Sequence, residues 1–123
     1  MLLDSNIIIY AIKPQFSNLR DLVENSQPMV SAISYLEVLG YHKLTPEDRQ
    51  DFEEFFSIMP IIHISQTIIE QAVALRQQRK MSLGDSIIAA TTIVHNLTLV
   101  TANVKDFEWI QDITILNPLE HST

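Results

Sequence analysis

The amino-acid sequence predicts an α/β fold: a three-layer α/β/α sandwich around a central, mostly parallel five-stranded sheet. Two features predict it. Five short apolar, mostly β-branched runs have the character of strands covered on both faces, and helical patterns alternate with them along the chain. A length of 123 residues suits a single domain with its own core, expected over residues 1–118 with a short polar tail over 119–123.

Leu2-Leu3 is the first expected strand. Ser17 to Glu24 follows as a short helix with Leu19, Leu22 and Val23 on one face, and Met29-Val30-Ser31 is the second strand. Ser34 to Leu44 reads as a helix whose apolar face carries Leu36, Leu39 and either Tyr35 or Val38. Thr45-Pro46-Glu47-Asp48 then supplies an N-cap, a proline at the first helical position and early acids, for a helix that buries Phe52, Phe55 and Phe56. Ile61 to Ile64 is the third strand, and Thr67 to Arg79 repeats Ile68, Ile69, Ala72, Val73 and Leu75 at helical spacing. Leu83 to His95 is apolar almost all round, which predicts a central, well-buried helix. Leu97 to Val100 and Ile113 to Leu116 complete the strands. No repeat, low-complexity tract or flexible linker interrupts this order.

Composition excludes several classes. Hydrophobic residues make up 46% and charged residues 19%, a globular balance. With no cysteine, a disulfide scaffold, a thiolate zinc site and a cysteine nucleophile are all excluded. Only Gly40 and Gly84 are present, far apart, so there is no glycine-rich phosphate loop, and no Gly-x-Ser-x-Gly elbow marks a serine hydrolase. No apolar run reaches the ~18 residues of a membrane helix, and the opening Met-Leu-Leu-Asp lacks the basic flank of a signal peptide. A cytoplasmic protein without membrane contact is expected. Eight basic against fifteen acidic residues leave a formal charge of −7, which at first sight argues against nucleic acid as a partner.

In a parallel sheet, ligands bind beyond the carboxyl ends of the strands, where the strand order reverses. Acids stand at those positions. Asp4 follows the first strand, and by itself also reads as the N-cap of a helix containing Ile7. Glu37 follows the second strand, and by itself closes a capping box with Ser34. Asp85 is a first-turn acid with Ser82 as cap, at the start of the most apolar helix, where a lone carboxylate is costly without a partner. Asn103 and Asp106 follow the fourth strand and also read as turn and cap residues. Brought to one sheet edge, these carboxylates repel and raise one another's proton affinity. No Lys or Arg adjoins Asp4, Glu37 or Asp85 in sequence, so a hard divalent cation is the remedy, and oxygen-only donors select Mg²⁺ or Mn²⁺ over zinc.

The run Leu-Leu-Asp4-Ser-Asn6-Ile-Ile-Ile-Tyr, then Ser34-x-x-Glu37-Val-Leu-Gly40-Tyr, then Leu83-Gly-Asp85-Ser-Ile-Ile-Ala-Ala, then Thr101-Ala-Asn103-Val-Lys-Asp106-Phe107, resembles the PIN-domain ribonucleases. Within them it is most similar to the VapC toxins of prokaryotic toxin–antitoxin pairs, over nearly the whole chain. The resemblance implies an endoribonuclease in which Asp4, Glu37 and Asp85 hold one or two Mg²⁺ or Mn²⁺ ions. It also implies an RNA substrate, a small antitoxin partner and a homodimer. The fourth acidic position departs from the fullest family pattern: Asn103 fills it as an oxygen ligand or water-positioner, and Asp106, three residues on, is the acid that the resemblance implies as a further metal-binding and catalytic residue. Ser5, Asn6 and Thr101 are the expected ligand-orienting residues around the acids.

Arg76, Arg79, Lys80 and Lys105 are candidates to grip RNA phosphates; Arg76, Arg79 and Lys80 also suit a helix C-terminus. Trp109 reads as packing beneath the cleft, or else as a surface for a base. His42, His63 and His95 form no ligand pair, and His121 falls in the tail. Two other functions fit less well. A receiver-like phosphoacceptor domain needs an acid after the third strand, where Ile64-Ser65-Gln66 stands. A catalytically silent interaction module of the same fold has no need of the intact Asp4, Glu37 and Asp85.

Overall fold

The computed structural model describes residues 1–119; most of the expected tail, His121 included, lies outside them. Its five strands are β1 (Leu2–Leu3), β2 (Met29–Ser31), β3 (Ile61–Ile62), β4 (Thr98–Val100) and β5 (Thr114–Leu116). All neighbours pair in parallel, in the order β3-β2-β1-β4-β5. The chain thus builds outward from β1 to β3, then returns to add β4 and β5 on the other side of β1. The reversal places the switch point between β1 and β4.

The helices are α1 (Ser5–Ala11), α2 (Ser17–Ser26), α3 (Ala32–Leu39), α4 (Pro46–Ile58), α5 (Gln66–Gln78) and α6 (Leu83–Val94), with short 3₁₀ turns at Pro14–Phe16 and Val104–Asp106. Alternation along the strands divides them into two layers. Leu2 and Leu99 face one side, packing with Ile68, Ala72 and Leu75 of α5 and Ile88, Ala89 and Ala90 of α6. Leu3, Val30 and Val100 face the other, against Ile7 and Ile8 of α1, Val38 of α3, and Phe52 and Phe56 of α4. The central helix α6 also buries Thr91 and Thr92. Their hydroxyls donate to the carbonyls of Ile87 at 2.7 Å and Ile88 at 2.9 Å, which makes those positions tolerable in a core.

Three expectations needed correction. The third strand stops at Ile62 because the Ser65 hydroxyl accepts the Ile68 N–H and already caps α5. Helix α3 starts at Ala32 and ends at Leu39, with Gly40 at its C-cap, instead of spanning Ser34 to Leu44. On α3, Val38 is buried while Tyr35 and Leu36 are exposed, so Leu36 is not a core residue. Among the described residues no helix is long and apolar enough to cross a membrane.

Candidate active site

The carboxyl ends of β1 and β4 meet at Asp4, whose N–H donates to the Val100 carbonyl at 2.9 Å. Asp4 is 6% exposed. Its Oδ1 accepts the Ser5 N–H at 2.8 Å, so it caps α1, while Oδ2 accepts the Thr101 hydroxyl at 2.8 Å and the Asn6 side-chain amide at 3.3 Å. The cap and the cleft acid are one residue. Asn6 ties the same corner together, because its Oδ1 accepts the Ala102 N–H at 3.3 Å. Thr101 Oγ1 accepts the Asn103 N–H at 3.0 Å, fixing the start of the turn after β4.

Glu37 reaches this edge from α3. The Ser5 hydroxyl donates to its Oε1 at 2.8 Å and lies 3.0 Å from Ser34 Oγ. Ser34 is wholly buried inside the helix and cannot cap it. The expected capping box between Ser34 and Glu37 therefore does not form: Ser31 is the cap, its hydroxyl accepting the Ile33 N–H at 3.1 Å. Glu37 is left free to face the cleft. Asp85 sits in the first turn of α6, its N–H donating to the Ser82 hydroxyl at 3.1 Å as expected. Between them, a Cβ placed on Gly84 would stand 2.6 Å from Glu37 Oε2. Only glycine lets α3 and α6 approach this closely with Glu37 in place.

Asp106 ends the 3₁₀ turn after β4 and shares a pocket with Asp85, Ser82 and the basic Arg79, Lys80 and Lys105. Asn103 lies outside that pocket, in a neighbouring hollow with Lys105, Asp106 and Asn117. Of the two candidates for the fourth position, Asp106 stands beside Asp85. Arg76 is not brought to the acids: it lines a groove between α5 and α6, its Nε–H donating to the Met81 carbonyl at 3.4 Å. Trp109 lines the pocket and packs against the core behind it. His42, His63 and His95 are exposed, and none borders these pockets.

The electrostatics follow from this crowding. The Asp4 carboxyl is pushed up from 3.8 to about 6, by burial foremost and also by the charges of Asp85 and Glu37, against the opposing bonds from Thr101 and Ser5. Burial also raises Asp85, helped by the charges of Asp106 and Glu37 and opposed by Ser82. Cationic side chains do not relieve them; among the described residues the ion pair is Arg49 with Glu53, on the exposed face of α4. Nor do three acidic or histidine side chains, among the described residues, already close on a common point. Ser5 holds Glu37, and Thr101 and Asn6 hold Asp4, so the acids surround the cleft as a repelling set. Oxygen-only donors, one of them buried and unneutralised, fit a hard divalent cation.

The sequence points to Ser34 only as a cap, not as a partner of Ser5, and a glycine before a first-turn acid has no meaning until the opposing Glu37 is in place.

A PIN domain profile matches residues 1–111. The chain is 30% identical to the protein named Ribonuclease VapC2 of Rickettsia felis, over 94% of this chain and 96% of that one. Its fold matches a toxin–antitoxin complex from Klebsiella pneumoniae, with a TM-score of 0.75, 37% identity and 98% of both chains covered. It also matches the VapBC2 complex of Rickettsia felis bound to a fragment of promoter DNA, with a TM-score of 0.78, 30% identity, and 94% of this chain and 96% of that one covered.

Proposed function

The chain belongs to the PIN-domain family, and on that premise we propose that it is a divalent-metal-dependent endoribonuclease, the toxin of a cytoplasmic toxin–antitoxin pair. The observation that carries this reading is the acid set at the β1/β4 switch point, with buried Asp4 lacking a cationic partner among the described residues. Asp4, Glu37 and Asp85 are the residues to hold Mg²⁺ or Mn²⁺, as one or two ions, with Asp106 at the margin and the Asn103 amide oxygen further out. When bound, the cation supplies Lewis-acid stabilisation of charge on the phosphoryl and leaving 3′ oxygens and eases ionisation of an attacking water.

The chain's own groups divide the remaining work. Asp4 is hydrogen-bonded on both oxygens and buried, which makes it a fixed anchor. Glu37 and Asp106 are exposed; the Ser5 hydroxyl engages Glu37 Oε1, and Glu37 Oε2 and the Asp106 carboxylate are suited to align water for in-line attack on phosphorus. Ser5, Asn6 and Thr101 hold the acids in position. Arg79, Lys80 and Lys105 beside Asp85 and Asp106 give a local basic rim for the RNA backbone despite the net charge of −7.

Two surfaces support the partners. A groove of about 540 Å³ beside Glu37 is lined by apolar Ile9, Ile12, Tyr41 and Phe52 and carries Asp48 and Asp51 against the single base Lys13. It suits an amphipathic, basic segment of an antitoxin, which would cover Glu37. On the opposite layer, exposed Ile69, Val73 and Leu83 suit contact with a second copy.

RNA cleavage with Mn²⁺ and with EDTA, in wild type, Asp4→Asn and Asp85→Asn, tests the reading. Wild type should cut only with the metal, and each variant should lose at least about a hundredfold in rate. Variants that cut as fast as wild type would overturn the site.

A further inference from the structure

We infer that Trp109 and Arg79 form a stacking subsite for an unpaired RNA base beside the scissile phosphate, an inference that rests on the ribonuclease reading above. The pocket of about 430 Å³ that holds Asp85 and Asp106 also holds Lys80, Lys105, Arg79 and Trp109, a size suited to a small ligand such as one nucleotide. The indole packs against the hydrophobic core on one side. Its Nε1–H donates to the Asp106 carbonyl at 3.0 Å, so the ring is locked to the same turn that presents the acid. The Arg79 guanidinium covers it, 5.4 Å from the ring centroid.

Arg79 is exposed, and among the described residues its guanidinium makes no ion pair or hydrogen bond. A planar cation held over a fixed aromatic ring, with its donors unused among the described residues, leaves room for another plane. A base can enter by lying on the guanidinium or by lifting it from the indole, which frees its donors for a phosphate. Because acids and stack share one pocket, the base they take adjoins the phosphate to be cut. A paired base cannot leave its helix to reach the ring cheaply, so the subsite favours single strands and loops.

Trp109 is the sole tryptophan, so its emission reads this pocket alone. Emission is followed in EDTA at low salt, where no cutting is expected, as single-stranded hexa-adenylate, single-stranded hexa-uridylate or a blunt RNA duplex is added. Single strands should quench it, adenylate more than uridylate because purines stack better, and the duplex should quench weakly. By anisotropy of fluorescein-labelled hexa-adenylate, Arg79→Ala and Trp109→Leu should weaken binding about ten- to hundredfold, while Trp109→Phe retains most of it. Arg79→Lys separates stacking from charge, since a role confined to phosphate is rescued by lysine and a stacking role is not. Arg79 lies on the surface, so its variants test the subsite even if Trp109→Leu proves unstable on melting. In Mn²⁺, Arg79→Ala should raise KM about tenfold with kcat little changed. Unchanged emission with single strands, equal quenching by the duplex, or full rescue by lysine would overturn the subsite. Each failure is distinct from failure of the ribonuclease reading, in which wild type with Mn²⁺ leaves RNA intact whatever its emission does.

Discussion

Asp4 performs two tasks with one carboxylate, and their conflict is measurable. The folded state raises its pKa from 3.8 to about 6, chiefly by burial, so folding favours the protonated form. The resulting stabilisation is complete below pH 3.8 and is lost as pH rises through about 6. The loss is on the order of 3 kcal/mol by neutral pH. Metal-free protein should therefore melt higher at pH 5 than at pH 7.5, and Asp4→Asn should flatten that difference; melts in EDTA at both pH values check it. A divalent cation competes with the same proton, so Mn²⁺ should raise Tm more at pH 7.5 than at pH 5. Gly84 makes the complementary prediction. The Cβ of Gly84→Ala would stand 2.6 Å from Glu37 Oε2. Glu37 is exposed, so it can swing aside without unfolding the protein. Replacing a helical glycine also favours the folded state by up to about 1 kcal/mol. The variant should keep or raise its Tm while losing about tenfold or more in cleavage, as a paired melt and cleavage assay would show; loss of both together would mean that α6 had shifted instead.

Helix starts explain why so much of the architecture was legible. Asp4, Ser31, Thr45, Ser65 and Ser82 each accept a backbone N–H at the N-terminus of a helix, and each of these caps stands at or near the end of an apolar run or turn. Thr45-Pro46 was readable because cap, proline and early acids coincide, and α4 begins there. Removing this cap by Thr45→Ala should cost about 1 kcal/mol, roughly 4 °C in Tm, and leave metal-dependent cleavage unchanged, because the cap lies away from the acids. Melting and cleavage measured on one preparation check both halves. The acids at the strand ends were legible for a related reason: a parallel sheet with a switch point brings the ends of β1, β2 and β4 to one edge. What was not legible depends on neighbours that local pattern does not name. Ser31 and Ser34 are both plausible caps in sequence, and only the packing that buries Ser34 against Ser5 decides between them. Leu36 matches a helical apolar face, yet α3 turns Val38 inward. Asn103 and Asp106 are three residues apart, and the 3₁₀ turn determines which of them stands beside Asp85.

Across the whole molecule, the charge of −7 is unevenly placed, so different faces suit partners of different charge. The groove between α1, α3 and α4 is largely apolar and carries Glu37, Asp48 and Asp51 against the single base Lys13, and the neighbouring hollow between α2 and α4 carries Glu24, Asp51 and Glu54 against Arg20, so both are net acidic. Two copies of this chain meeting through those surfaces would press like charges together, whereas a basic partner would be drawn to them. The groove between α5 and α6 differs: Ile69, Val73 and Leu83 line it, Arg76 and Lys80 border it, and no acid does. Exposures of 43%, 51% and 60% for those three apolar residues leave surface that water disfavours. A second copy is therefore expected to dock there, where repulsion between two acidic molecules is least. Val73→Glu puts a carboxylate at the centre of that contact and adds a charge to each copy. If the face is the dimer contact, wild type should sediment as a dimer that tightens with added salt, since salt screens the residual repulsion. The variant should sediment as a monomer with a Tm close to that of the wild-type protomer. A monomeric wild type, or a Val73→Glu protein that remains dimeric, would move the contact away from α5 and α6.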